Sequence, residues 1–84
     1  MNDLLVVRDM SDLIKIRDEY PHLRGVKPRF VGQDIQRALR GWIPDKIYVS
    51  VWASEHEDWK MVTAKGAVIP YRIQQGSELV CLGS

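Results

Sequence analysis

Hydrophobic periodicity divides this chain near Lys46, and that division constrains the fold more than any other feature. Before it, apolar residues recur at helical spacing. Leu13, Ile16 and Tyr20 line one face, with Ser11 or Asp12 placed to cap a helix. Pro21 ends that helix by forcing the preceding residue out of the helical region. A second helix is predicted roughly over Val31 to Arg40. Val31, Ile35, Ala38, Leu39 and Trp42 share one sector, while Gln33, Gln36, Arg37 and Arg40 occupy the opposite one. Gly41 suits a left-handed stop and Pro44 prevents resumption.

Beyond Lys46 the period becomes two. Ile47, Val49, Val51 and Ala53 alternate with Tyr48, Ser50 and Trp52. The polar segment Ser54 to Asp58 has the length of a hairpin loop, so Trp59 to Lys65 is expected as a return strand. In that register Ile47, Val49, Val51, Trp59 and Met61 face the core, and Tyr48, Trp52 and Lys60 share the other face. Gly66 is expected to turn the chain into a further strand, Ala67 to Ile73, where Pro70 implies an edge or an irregularity. Leu79 to Leu82 is a last short apolar run. At the other end, Leu4 to Val7 is a continuous apolar run of the kind that forms a strand buried on both faces. The segment Pro21 to Phe30, with Gly25 and two prolines, reads as an irregular connection. The expected fold is α+β: an antiparallel sheet of about four to five short strands, two helices packed on one face, in the order β-α-α-β-β-β with room for one more strand.

The 84 residues make a single domain, 1–84. At 45% hydrophobic and 27% charged the composition is that of a globular protein. No apolar run approaches the ~18 residues of a membrane span, and the N-terminus lacks the layout of a signal peptide. A single Cys, Cys81, leaves no partner for an intramolecular disulfide, so a cytoplasmic setting is expected. With two His and one Cys, no metal site and no cofactor are expected.

The near-neutral total hides an uneven charge distribution. Residues 1–23 carry three basic and five acidic side chains, residues 24–46 carry six and two, and residues 47–84 carry three and four. The basic middle includes Arg29, Arg37 and Arg40. Arg and Gln present forked or paired donors that clamp phosphates and read base edges, or meet an acidic patch on a protein. Between Tyr20 and Val31 the gap is too long for a helix-turn-helix. Tyr48 and Trp52 beside Lys60 would form a stacking or gripping surface, or merely a cation–π pair that steadies a hairpin. Glu55, His56, Glu57 and Asp58 form an acidic loop, read as solvated. Gly25, Gly32 and Gly41 are too widely spaced for a phosphate loop, and Cys81 sits inside an apolar run.

These residues favour a non-catalytic protein-interaction module: a small regulator or inhibitor of a larger protein, of the kind phages use as accessory proteins. Arg29, Arg37, Arg40, Trp42, Tyr48, Trp52 and Lys60 are its expected partner-binding residues, since aromatic residues and Arg anchor interfaces. A homodimer is the mild form of the same expectation. The alternative is binding of single-stranded RNA or DNA through residues 24–46, with Tyr48 and Trp52 stacking on bases. A second alternative is a metal-independent ribonuclease, because the strand–helix–helix–strands order resembles, in element order alone, the small toxin ribonucleases of the RelE type. That is the one enzyme class left open; no enzyme activity is expected.

Overall fold

The computed structural model describes residues 2–83. Among these, the strands are β1 (Asp3–Val7), β2 (Lys27–Phe30), β3 (Lys46–Val49) and β4 (Glu78–Cys81). The helices are α1 (Met10–Glu19), α2 (Gln33–Ala38), α3 (Val51–Glu55), α4 (Glu57–Thr63) and α5 (Val68–Gln74), with a 3-10 turn at Pro21–Leu23. The strands form one sheet in the order β2-β1-β3-β4, and all three pairings are parallel. Every strand is therefore joined to the next by a crossover carrying helix, as parallel pairing requires.

The expected antiparallel sheet is thus corrected to a parallel one, and the reason lies at Ser50. Ile47 and Val49 alternate with Tyr48 as a strand should, but Ser50 caps a helix: its Oγ accepts the N–H of Ala53 at 3.1 Å. Val51 to Glu55 then turn helical, so no hairpin forms. His56 caps the next helix, with Nδ1 accepting the N–H of Asp58 at 3.1 Å. Trp59 and Val62, three residues apart, are buried on one side of α4. The Ala67 to Ile73 segment is also helical. Pro70 lies in the first turn of α5, where the backbone N–H has no intrahelical partner to lose. The helix–helix–strands order that resembles the toxin ribonucleases is accordingly not the one the chain adopts.

Other expectations hold with adjusted limits. β1 is buried along its whole length. Its alternate residues feed two cores on opposite sides of the sheet, as the continuous apolar run implies. Leu4 and Val6 pack with Ile47, Val49, Ile35, Leu39, Trp59, Val62 and Ile69. Leu5 and Val7 pack with Leu13, Ile16, Leu23, Val26 and Leu82. Helices therefore cover both faces instead of one: α1 and the 3-10 turn on one side, α2 to α5 on the other. The cap of α1 is Asp9, which accepts the N–H of Asp12 at 2.9 Å, in place of Ser11 or Asp12. α2 is shorter than its sequence pattern. Gly32, at φ 122°, precedes it, and Gly41, at φ 74°, supplies the expected left-handed stop. β2, within the segment read as irregular, has β1 as its one strand neighbour; the adjoining Val31 N–H donates to Val7 O at 2.9 Å.

Candidate functional site

In an open parallel sheet the connections leaving two adjacent strands depart to opposite faces at one point of the strand order. The crevice outside their C-terminal ends is where such folds bind ligands. Here that point lies between β1 and β3. The chain leaving β1 enters α1 on one face, and the chain leaving β3 enters α3 on the other.

The two exits are tied together. Asp12, 2% exposed, accepts the hydroxyl of Ser50 at 2.5 Å and the backbone N–H of Arg8 at 2.8 Å. Ser50 is 1% exposed and its own N–H donates to Val6 O at 3.1 Å. One oxygen of a buried carboxylate, Asp12 Oδ2, therefore fixes the start of α1 against the start of α3. Asp9 stands further out and accepts Arg8 Nε at 3.0 Å. Its carboxyl is held below the usual value, first by the Asp12 N–H that it caps; partial burial opposes this and Arg8 reinforces it.

Trp52, in the first turn of α3, rises from this clamp and is 37% exposed. The Arg8 guanidinium lies 4.3 Å from its ring centroid and the Lys15 ammonium 4.7 Å. Contacts of this kind contribute about 0.5–1 kcal/mol each at exposed sites, and they hold the indole in place. A crevice of about 140 Å³ opens beside it, lined by Asp12, Lys15, Ile16, Glu19, Val51, Trp52 and Gly83. Gly83, at φ 116°, passes so near Val51 that a Cβ there would overlap the valine side chain. Val51, beside Trp52, is the other exposed apolar residue of the lining; the exposed Met10 and Ile14 of α1 lie outside it, on the opposite side of that helix. Lys15 also lines a shallow depression shared with Ile14, Arg17 and Arg24, joining the two surfaces.

The residues expected from sequence are distributed over several surfaces. Trp52 is at the crevice, but its cations are Arg8 and Lys15; it does not face Lys60, which is exposed on α4. Tyr48 does not share a hairpin face with Trp52. It is a half-buried β3 residue packed against the core beneath α1. Trp42 is half-buried against the opposite core, its indole N–H donating to Asn2 Oδ1 at 2.5 Å, with Lys27 Nζ 5.7 Å from the ring. Arg29 pairs in register with Val6, which places it on the α2 side of the sheet, and its Nη1 donates to Pro28 O at 2.9 Å. Arg37 and Arg40 are exposed on and just beyond α2.

Sequence reasoning missed Arg8, Asp12, Lys15 and Ser50. One signal pointed to them. A strand apolar on both faces is characteristic of the centre of a parallel sheet, and the polar residues at its C-terminal end belong to the crevice such sheets form. No protein-family model matches the chain, and no curated protein or solved structure matches it.

Proposed function

We propose that this chain is a small non-catalytic protein-interaction module that grips a larger protein at the strand-end crevice, with Trp52 as the anchor. One observation carries the reading: a part-exposed tryptophan, fixed by Arg8 and Lys15, stands with exposed Val51 at the mouth of the crevice. Tryptophan and arginine dominate the energetics of protein interfaces, and a side chain already held in place loses little entropy on binding. Trp52 and Val51 supply the apolar area that a partner can bury. Lys15 and Arg8 supply rim charge that steers encounter and fixes register.

The test is quantitative binding by partners captured on the full chain, comparing wild type with Trp52→Ala and Lys60→Ala. An anchor of this type contributes at least ~2 kcal/mol, so Trp52→Ala should weaken binding about 30-fold. Lys60→Ala should change it little. Equal affinity for wild type and Trp52→Ala, both folded, refutes the role given to the crevice.

A second reading is supported by the same two cations and by the basic excess over residues 24–46. A single-stranded nucleic acid would lay a base on Trp52 and its phosphates on Arg8 and Lys15. Titration with mixed single-stranded RNA, followed by tryptophan emission, separates the two. Saturable quenching that weakens steeply with salt supports nucleic acid, and its absence at low salt removes that reading.

A further inference from the structure

The two edges of the sheet are finished differently. On β2 the backbone groups of Arg29 and Val31 turn toward β1, as the Val31 bond to Val7 O fixes, so Pro28 and Phe30 turn outward. Neither leaves a free donor. Pro28 has no N–H, and the Phe30 N–H donates to Asp34 Oδ2 at 3.3 Å. That edge is closed to another strand.

β4 lacks both devices. Its Glu78 N–H donates to Asp45 O at 2.9 Å, and just beyond it the Leu82 N–H donates to Val49 O at 2.8 Å. With the parallel register of β3 and β4, this turns Glu78, Val80 and Leu82 inward and leaves the N–H and C=O of Leu79 and Cys81 pointing outward. Among the described residues these two N–H groups have no hydrogen-bond acceptor. The side chains do not screen them: Leu79 and Val80 are half-buried, Cys81 is exposed, and the strand proper carries one charge, Glu78, at its start.

We propose that β4 pairs antiparallel with β4 of a second copy of this chain, about a two-fold axis through Val80. In that register Leu79 of each copy opposes Cys81 of the other. Two-fold symmetry then gives four backbone hydrogen bonds, and every outward donor and acceptor of both strands is used. The faces of the two sheets run on continuously, because paired positions have the same parity. No like charges oppose one another: Glu78 meets Leu82, and Val80 meets its own copy. A formal charge of +1 per chain raises no long-range barrier to self-association. An extended peptide from another protein would use the same groups, but the self-register satisfies them completely and without a charge conflict. This interface uses residues other than Trp52, Arg8 and Lys15, so it stands or falls separately from the proposed function.

Sedimentation of the intact chain under reducing conditions is the first test. A concentration-dependent species of twice 9.7 kDa is expected. The geometry sets a second. Val80 faces its copy across a non-hydrogen-bonded pair with Cα atoms about 4.5 Å apart, within disulfide range. Two Cys81 residues lie diagonally, about 8 Å apart, which is too far. Mild oxidation should therefore link Val80→Cys in a Cys81→Ser background and leave the wild type unlinked; the reverse pattern overturns the register. Leu79→Pro removes an outward donor without touching a bond to β3, as Pro28 does on the other edge, and should give a folded monomer. If that variant does not fold, Cys81→Lys, at an exposed position, supplies the same readout. A wild type that stays monomeric, a dimer that survives Leu79→Pro or Cys81→Lys, or a monomer that takes up an added extended peptide along β4 overturns the proposal.

Discussion

Replacing Ser50 by Ala removes two buried interactions from the point where the sheet reverses its winding. The first is the hydroxyl bond to Asp12 at 2.5 Å, to a carboxylate that is 2% exposed. A hydrogen bond to a charged group is worth about 1.5–3 kcal/mol. The second is the cap of α3, at 3.1 Å to the Ala53 N–H, worth about 1 kcal/mol. Together they put the loss at about 2.5–4 kcal/mol. A chain of this length holds about 4–13 kcal/mol in all, so that loss is a large part of its stability. At roughly 4–8 °C per kcal/mol for a domain of this size, Tm should fall by about 10–30 °C. Asp12→Ala should lose a comparable amount, because the Arg8 N–H and the Ser50 hydroxyl both lose their acceptor. The shared bond is isolated by a double-mutant cycle in urea, reading far-ultraviolet circular dichroism and Trp emission together. The coupling between the two substitutions should be about 1.5–3 kcal/mol. Coupling below about 0.5 kcal/mol, with each single variant costing less than about 1 kcal/mol, would refute the clamp.

Three further outcomes are expected. Arg72 donates from Nε to Trp42 O at 2.9 Å and from Nη2 to Leu39 O, holding the chain that leaves α2. Arg72→Lys, which cannot reproduce the fork, should cost about 2 kcal/mol in urea denaturation, and an unchanged midpoint would remove that role. Gly32 has φ 122°, and a Cβ on it would stand 3.2 Å from Asp58 Oδ2. Gly32→Ala should therefore destabilise by about 1–3 kcal/mol, the opposite of an ordinary Gly→Ala gain, and a raised Tm would contradict the assigned backbone. Asp9 has a carboxyl pKa lowered by folding. Its contribution is present above the unfolded carboxylate pKa of about 3.9 and is lost as pH falls through the lower folded value. Asp9→Asn, which keeps a capping oxygen, should flatten the acid limb of the stability profile while leaving neutral pH nearly unaffected. An acid limb identical to that of wild type would show that Asp9 takes no part in it.

Local sequence determined those parts of the molecule whose causes are local. Leu4 to Val7 forms a strand apolar on both faces because no polar residue interrupts the run. Leu13 and Ile16 bury one side of a helix that Pro21 ends, Gly41 stops α2, and Leu79 to Cys81 lie in a strand. The same information failed at Ser50. Alternation from Ile47 to Ala53 fits a long strand, yet a serine followed by helix-compatible residues is equally a cap, and only the packing of Ala53, Trp59 and Val62 into the core beside β1 and β3 selects the helix. Strand partners were beyond the reach of periodicity altogether. A hairpin announces itself by a turn, whereas β1 meets β2, β3 and β3 meets β4 across long crossovers whose pairing is fixed by the burial of both faces. The candidate site follows from that topology. Trp52 was visible as an aromatic residue on the non-core face of the expected strand, but Arg8 and Lys15 reach it from the far end of the chain, brought there by the parallel pairing of β1 with β3.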